Sequence, residues 1–529
     1  MRKNRHLIFL LLTLIGILLF SLSFPGLLNR EGISFISFFS LIPLFVLTKK
    51  ITYKEGIFYG FLYGSGSYLL FNYWLKAFDP VSFSIAPSII GFYYVILFLL
   101  LIYINKNIKK HTYILTSLSW LLYEVFKGEN AIGYTYGTIA HSMYKTHIFT
   151  GIADITGVYI ISLIIVFPSA FIADIFTSST LKYSKNEKKL VTLIYLLIMT
   201  ISILYTKNSK IDYRESGHVK VALIQHNLDS WAHGSNLLYR ETLDILLNLT
   251  KKSLREKPDV VIWSETAFVP AIEWHKEFQS NSFRLELVNE MEAFIQGTGK
   301  DFIIGANETI GNEDEFQTFY NSSYHYSDGQ IINKYRKIKL VPFTEHFPLP
   351  DVIPGFKEYI KSIGGKDISP GNEQINFNFN NINFTPLICY EDTFSSIARD
   401  GILNNGDIIV NMTNDAWSKE EACSMQHLSA SIFRSIENRR SFIRVGTGGF
   451  TTIIDPNGLI LHSIPILTED YLVSDVPIYN ASLTFYTKHG DLILQVILII
   501  YLITISFHII KSTLYALQLI PKSDLNQVE

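Results

Sequence analysis

Residues 382–391 read INFTPLICYE. The run is apolar and partly β-branched up to Ile388, then changes abruptly to Cys389, Tyr390 and Glu391. A continuous apolar run, rather than an alternating one, fits a strand buried on both faces. A reactive side chain directly after such a strand is held rigidly at its end and opens to the cleft beyond. Comparable runs recur on both sides: VKVALIQ (219–225), DVVIWSE (259–265), DFIIGAN (301–307), DIIVNMTND (407–415), SFIRVGTGG (441–449) and TTIIDPNG (451–458). Helical stretches lie among them, at about 239–254, at SFRLELVNEMEAFIQ (282–296) and at HLSASIFRSIENRRS (427–441). Strands alternating with helices predict a layered α/β domain. The Asp455-Pro456-Asn457-Gly458 turn between apolar runs predicts a hairpin.

Outward from this domain the sequence changes character. The chain has 529 residues, 48% of them hydrophobic and 17% charged. The apolar excess is concentrated in the first ~205 residues and near the C-terminal end, in runs about long enough to cross a bilayer core of ~30 Å. Eight spans are expected, near 7–24, 33–48, 56–78, 85–104, 112–126, 155–177, 189–206 and 491–510. The third carries Gly60, Gly64 and Gly66, which suit close helix packing. Arg2, Lys3 and Arg5 before the first run also fit a signal peptide, but the run is long and six more follow, so a retained helix is expected. The expected organisation is therefore 1–208 with seven spans, 209–486 as the α/β domain, and 487–529 with the eighth span and a tail.

Lysine and arginine in the loops set the orientation. With the N-terminus cytoplasmic, the inner segments hold fifteen of them and the outer segments only Arg30, Lys76, Lys127 and Lys145. Lys207, Lys210 and Arg214 run against the bias, but they begin a long domain, where the rule is weak. Both termini are then cytoplasmic and the α/β domain faces outward from the cytoplasmic membrane. The net charge of −2 and the lack of a basic stripe with interleaved aromatics set nucleic-acid binding aside. The two cysteines, Cys389 and Cys423, are too few for a disulfide scaffold, and no Cys/His cluster has zinc spacing. No metal or cofactor is expected.

Three segments offer chemistry. Glu265 closes an apolar strand, where a carboxylate is costly to bury without a partner or a task, although a surface carboxylate just past the strand end is the commoner case. Lys337 lies in YRKIKLVPFTE (335–345), where basic residues on an edge strand ordinarily prevent aggregation. Cys389 fits a nucleophile at a strand end, a buried small hydrophobe, or a disulfide partner of Cys423. Each motif alone leaves these alternatives open.

Together, Glu265, Lys337 and Cys389 in their settings resemble the nitrilase, or carbon–nitrogen hydrolase, superfamily. Set between membrane spans they resemble its apolipoprotein N-acyltransferase branch. The matching stretches are YxKxxLVPFxE at 335–345, ICYE at 388–391, NDAW at 414–417, Gln426-His427, Glu437 with Arg439, IDPNG at 454–458, and Tyr486 with Gly490-Asp491. The resemblance implies a four-layer α-β-β-α sandwich beside the membrane helices. It implies Cys389 as nucleophile, Glu265 as base and Lys337 as fixed positive charge, with Glu345, Tyr390 and Glu391 supporting the site. It also implies the substrates: a phospholipid acyl donor and a diacylglyceryl-modified apolipoprotein as acceptor. Nothing in the sequence demands more than a monomer.

Phe268, Phe343, Phe347 and Trp417 lie beside these motifs and are expected either to line an opening toward lipid or to pack in the core. Cys423, in the polar and loop-like KEEACS (419–424), is expected to stay unpaired. Three features depart from the family pattern: Gly446-Thr447-Gly448-Gly449 where an asparagine-containing stretch is usual, Arg439-Arg440 in place of Arg-Pro, and an outer segment 128–150 without the aromatic-proline pattern. The rival readings are a membrane-tethered amidase acting on a small carbon–nitrogen substrate and a non-catalytic membrane scaffold.

Overall fold

The computed structural model describes residues 2–77, 80–130, 132–177, 182–229, 235–279, 281–311, 318–346, 355, 358, 367–480 and 482–517. The N-terminal part is helical: α1 (Arg2–Leu22), α2 (Ile42–Thr48), α3 (Tyr53–Phe71), α4 (Pro80–Asn107), α5 (Thr112–Glu129), α6 (Ala153–Thr156), α7 (Val158–Thr177) and α8 (Lys185–Asn208). One more long helix, Leu492–Ala516, follows the α/β domain. Among the described residues, five helices are long and apolar enough to cross a membrane, within α1, α4, α7, α8 and the C-terminal helix. Large side chains such as Leu193, Leu197, Ile201, Ile499 and Ile503 are exposed along them, as a lipid-facing surface requires.

The other three expected spans are shorter or more polar. Residues 33–48 divide into a 3₁₀ turn, Ser34–Phe38, and the seven-residue α2. The third span ends at Phe71 and passes into a second 3₁₀ turn, Tyr73–Ala77. The fifth is α5, which buries Glu124 and Lys127. The glycines of α3 do allow close packing: a Cβ on Gly60 would lie 3.1 Å from the Val95 Cα, and one on Gly64 would lie 2.7 Å from Tyr94.

The α/β domain holds two six-stranded sheets. The first, in the order β12-β1-β2-β3-β4-β5, uses β1 (His218–Gln225), β2 (Val260–Trp263), β3 (Asp301–Ile310), β4 (Thr318–Ser327), β5 (Gln330–Arg336) and β12 (Asp470–Pro477). The second, in the order β11-β10-β9-β8-β7-β6, uses β6 (Phe377–Phe379), β7 (Ile382–Ile388), β8 (Ile408–Thr413), β9 (Ser441–Gly446), β10 (Thr451–Ile454) and β11 (Ile460–Ile464). β1, β2 and β3 are parallel, and so are β7, β8 and β9. Strands buried on both faces explain the continuous apolar runs. The Asp455–Gly458 turn joins β10 to β11 as the expected hairpin.

Alternate residues of each strand enter different cores, as the pleat dictates. Val221, Leu223, Ile262 and Ile303 of the first sheet meet Ile388, Val410, Met412 and Ile443 of the second. Ala222, Ile224, Val261 and Trp263 pack instead on Leu246, Leu287 and Met291 from helices Asn236–Ser253 and Ser282–Thr298. Leu387, Ile409 and Phe442 pack on Leu428, Ile432 and Ile436 of the helix Glu421–Asn438, in a cluster that continues into the membrane helices. The α/β domain and the membrane part therefore share one core. Polar pins reinforce it: Gln426 Nε2 donates to the carbonyls of Pro25 and Phe71 at 2.7 and 2.9 Å, and Trp74 Nε1 donates to Gln426 Oε1 at 3.0 Å. Glu437 accepts from the Val158 N–H at 3.0 Å, satisfying a donor at the start of α7 that has no intrahelical partner.

The helix expected at 427–441 begins six residues earlier, at Glu421. This corrects the placement of Cys423, which lies in the helix, buried against Trp74 and Trp417, and not in a loop. Its first turn, Glu421-Ala422-Cys423-Ser424, carries small and polar residues, of which Ala422 and Cys423 pack against Trp74 and Trp417, so no apolar period marks its start.

Candidate active site

Glu265 stands two residues beyond the end of β2. Thr266 next to it takes a left-handed φ of 44°, which turns the chain away from the sheet. Gly305 on β3 makes room: a Cβ there would lie 2.8 Å from the Glu265 Cα. The carboxylate is buried and accepts from the Asn414 N–H and from Asn321 Nδ2, both at 2.8 Å.

Lys337 follows β5 directly, and its own N–H donates to the Asn321 carbonyl at 2.9 Å. Its Nζ donates to Glu345 Oε1 at 2.8 Å and lies 3.4 Å from Glu265 Oε1. Glu345 is oriented by the Val341 N–H at 2.8 Å, within the tight turn that VPFTE forms. Asn321 spans both carboxylates, 3.3 Å from Glu345 Oε1.

Cys389 opens a 3₁₀ turn at the end of β7, half-buried, with a φ of 51°. Its thiol sits within the electrostatic reach of the Glu265 carboxylate and the Lys337 ammonium. Its carbonyl oxygen accepts from Asn411 Nδ2 at 2.8 Å and lies 3.2 Å from His427 Nε2. Glu391 clamps the two loops together. It accepts from the Ile388 N–H at 2.7 Å on the cysteine side, and from Tyr335 Oη, Ile338 N–H and Lys339 N–H at 2.8, 2.6 and 3.0 Å on the lysine side. Tyr390 reaches the membrane part: its Oη donates to the Gly133 carbonyl at 2.6 Å, and its ring stacks on Tyr136 at 5.8 Å.

Burial pushes the Glu265 carboxyl above the usual carboxylate range, opposed by Lys337 and assisted by Glu345. Burial and then Glu265 push the Cys389 thiol well up, with Lys337 opposing. Burial opposes charge on Lys337, but Glu345, Glu265 and Cys389 outweigh it and keep the ammonium charged. Burial also raises Glu391 to about 7, against its hydrogen bonds. The resting site thus holds a protonated thiol, a buried carboxylate and a fixed cation acting on one another. Such a set suits nucleophilic attack with proton transfer inside the pair.

A second buried cluster adjoins the cysteine carbonyl. Arg444 donates to Asp392 Oδ2 at 2.7 Å and to Asp415 Oδ2 at 2.8 Å. His427 Nε2 lies 2.7 Å from Asp392 Oδ1, and its Nδ1 lies 3.2 Å from Asp415 Oδ1. Burial and Arg444 work against a charged His427, yet Asp392 and Asp415 lift it to about 9. Sequence reasoning noted 414–416 and Gln426-His427 within motifs but gave them no task, and it missed Asn321, Asn411 and Arg444. Only the pairing of distant strands brings them to the site. Thr447 of the unusual 446–449 stretch ties the sheets by a 2.7 Å hydrogen bond to Ser264.

Of the four residues expected at a lipid opening, Phe268 is corrected. It is buried in the core between the first sheet and its helices, held by its N–H to the Gly305 carbonyl. Phe343 is half-buried in the 341–346 turn with a φ of 64°. Trp417 is half-buried edge-to-face against Trp74 at 5.8 Å. Phe347 lies outside the described residues.

Comparison with known proteins follows this division of the chain. The family model described as apolipoprotein N-acyltransferase N-terminal domain matches residues 16–171, and that described as carbon-nitrogen hydrolase matches residues 220–483. The chain is 32% identical to apolipoprotein N-acyltransferase 1 of Treponema denticola, over 96% of this chain and 98% of that protein. It is 30% identical to apolipoprotein N-acyltransferase 1 of Treponema pallidum, over 91% and 92%. Among solved structures, an amidase from Nesterenkonia sp. aligns over 54% of this chain and 98% of its own, at 15% identity and a TM-score of 0.38. By identity and coverage across both parts, the chain belongs to the apolipoprotein N-acyltransferase family.

Proposed function

We propose that the protein moves a fatty acyl chain from a membrane phospholipid to the N-terminal amine of a diacylglyceryl-cysteine on an apolipoprotein, through a thioester on Cys389. Glu265 takes the thiol proton as sulfur attacks the ester carbonyl carbon. The C–S bond forms and the carbonyl π pair moves onto oxygen, where the Lys337 ammonium stabilises it. The oxyanion collapses, the ester C–O bond breaks, and the lysophospholipid leaves as an alcohol with the proton held by Glu265. The acceptor amine then attacks the thioester, Glu265 takes its proton, and the thiol is restored as the amide forms. Glu345 holds Lys337 in place, and Glu391 fixes the distance between the cysteine and lysine loops.

The observation that carries this reading is the placement of Lys337 Nζ, 2.8 Å from Glu345 and 3.4 Å from Glu265, with the Cys389 thiol in the field of that same pair. In this reading residues 1–208 contribute seven spans and 487–529 the eighth, with α2, α3 and α5 counted among them. Residues 209–486 form a four-layer α-β-β-α sandwich outside the cytoplasmic membrane, both termini are cytoplasmic, and the protein acts as a monomer. Phe343 and Trp417 stand at the opening toward lipid. Two bilayer-anchored substrates explain why a nitrilase-like domain shares its core with membrane helices, which a small soluble amide would not require.

The test is transfer in phospholipid-containing micelles to a synthetic peptide bearing diacylglyceryl-cysteine. Amide-linked acylation of the peptide, lost in Cys389→Ala, is expected. Hydrolysis of small amides with no acylation of the peptide would favour the tethered-amidase alternative.

A further inference from the structure

We propose that Asn411 and His427 are positioning residues that lock the Cys389–Tyr390 peptide plane through the Cys389 carbonyl oxygen, an inference that rests on Cys389 as the nucleophile. Cys389 has a φ of 51°, a left-handed conformation in which the Cβ of a non-glycine residue crowds the backbone. Something must hold it there. Asn411 Nδ2 donates to its carbonyl oxygen at 2.8 Å, and His427 Nε2 approaches the same oxygen at 3.2 Å.

Neither residue is there for packing alone. Asn411 sits on β8, directly opposite Leu387 of β7 and Arg444 of β9. It is fully buried, and its Oδ1 has no hydrogen-bond partner among the described residues. A buried, unsatisfied amide oxygen costs free energy that an apolar residue of similar size would not incur. The donation to Cys389 is the compensating contact. His427 is fixed from every side, by Asp392, Asp415 and Arg444 and by the edge-to-face Tyr136 ring at 6.1 Å.

The peptide unit is planar, so holding the carbonyl fixes the Tyr390 N–H, which points the opposite way in a trans peptide. A fixed N–H beside the nucleophile is preorganised to donate to the oxygen that becomes negative during acyl transfer. Asn411 and His427 touch neither substrate nor thiol and act only through this plane.

The experiment compares two reactions of the same sulfur. Acylation by phospholipid passes through an oxyanion. Alkylation by iodoacetamide displaces iodide directly and forms none. Both rates at Cys389 are read by mass spectrometry in full-length wild-type protein, Asn411→Leu, His427→Gln and His427→Ala. Asn411→Leu keeps the side-chain volume and removes the donor, while His427→Gln keeps an amide donor. The proposal expects Asn411→Leu to slow acylation by about 10–100-fold, somewhat less than removal of a direct oxyanion donor. Alkylation should change by less than about threefold, and His427→Gln should retain more acylation than His427→Ala. Unchanged acylation in Asn411→Leu would overturn the clamp. So would an equal fall in both reactions, which marks general damage to the site. A wild-type protein that alkylates at Cys389 but never acquires an acyl group sinks the triad reading itself, and the clamp with it.

Discussion

At the Cys389 thiol stand Lys337, Glu265 and Glu345; at its carbonyl stand Arg444, His427, Asp392 and Asp415. Both clusters are buried, and both pair cations with carboxylates at hydrogen-bond distance. They differ in balance. The thiol cluster has one cation for two carboxylates, and one of those carboxylates, Glu265, is pushed up by burial toward holding a proton. The carbonyl cluster matches cations to carboxylates. Arg444 and His427 outweigh burial and hold Asp415 far below its usual range, while the carboxylates lift His427 to about 9. An unbalanced buried cluster has a proton that can move at neutral pH. A balanced one has its protons fixed and serves to hold shape. The same residue types thus give a reactive face and a rigid face around one cysteine.

Removing the cation from each cluster separates the two roles. Lys337→Met should lower the rate of Cys389 acylation by about 10²–10³-fold, the usual loss for one oxyanion-stabilising group. The protein should remain folded, because Glu265, already pushed up by burial, can take up a proton. Arg444→Met should instead act on stability, costing about 3–5 kcal/mol as two buried carboxylates lose their partner. Thermal unfolding in detergent reads this directly. Equal loss of stability in both variants would erase the distinction.

The pH dependence sharpens it further. Glu265 works as a carboxylate base, so acylation should rise with pH through its pKa. Because burial raises that pKa, the acid limb should lie above the ordinary glutamate value of about 4.3. The rate should fall about tenfold per pH unit below the limb. Lys337→Met removes a charge that favours the carboxylate, so the limb should move to higher pH. Arg444→Met should leave it in place. A limb that stays fixed in Lys337→Met would contradict the assignment of Glu265 as the base. The smallest effect belongs to the rim: Phe343→Ala combined with Trp417→Ala should slow acylation from phospholipid by about tenfold or less, with stability nearly unchanged. No change in acylation or in membrane docking would remove both residues from the opening.

The sequence was most legible where strands are buried on both faces. The ends of β2 and β7 follow from VVIW and TPLI, so Glu265 and Cys389 stood out as groups at strand ends. Lys337 was harder to place. β4 and β5 read TFYNSSYHYS and QIINKYR, polar and tyrosine-rich, because β5 is an edge strand with much of its surface exposed. Only its family motif marked it. The helix Glu421–Asn438 is buried almost throughout, so amphipathic periodicity could not show its start, and Cys423 was misplaced as a result. Phe268 reads the same beside a motif whether it faces lipid or core; the isolated bridge to Ala306 of β3 decides for the core. The Asn411, His427 and Arg444 constellation joins β8, a helix and β9, and no local pattern reports such contacts. In the membrane part, length and hydropathy located five helices firmly. α3 and α5 are less distinct because they bury tyrosines, Glu124 and Lys127 against neighbouring helices.

The central claim is that Cys389 carries the acyl group. The most direct measurement is mass spectrometry of the purified full-length protein after incubation with phospholipids of two different acyl-chain lengths. An adduct on the Cys389 peptide whose mass follows the chain supplied, released by a diacylglyceryl-cysteine peptide and absent in Cys389→Ala, is the predicted result. Transfer to that peptide by Cys389→Ala protein, or an adduct on any other residue, would contradict it.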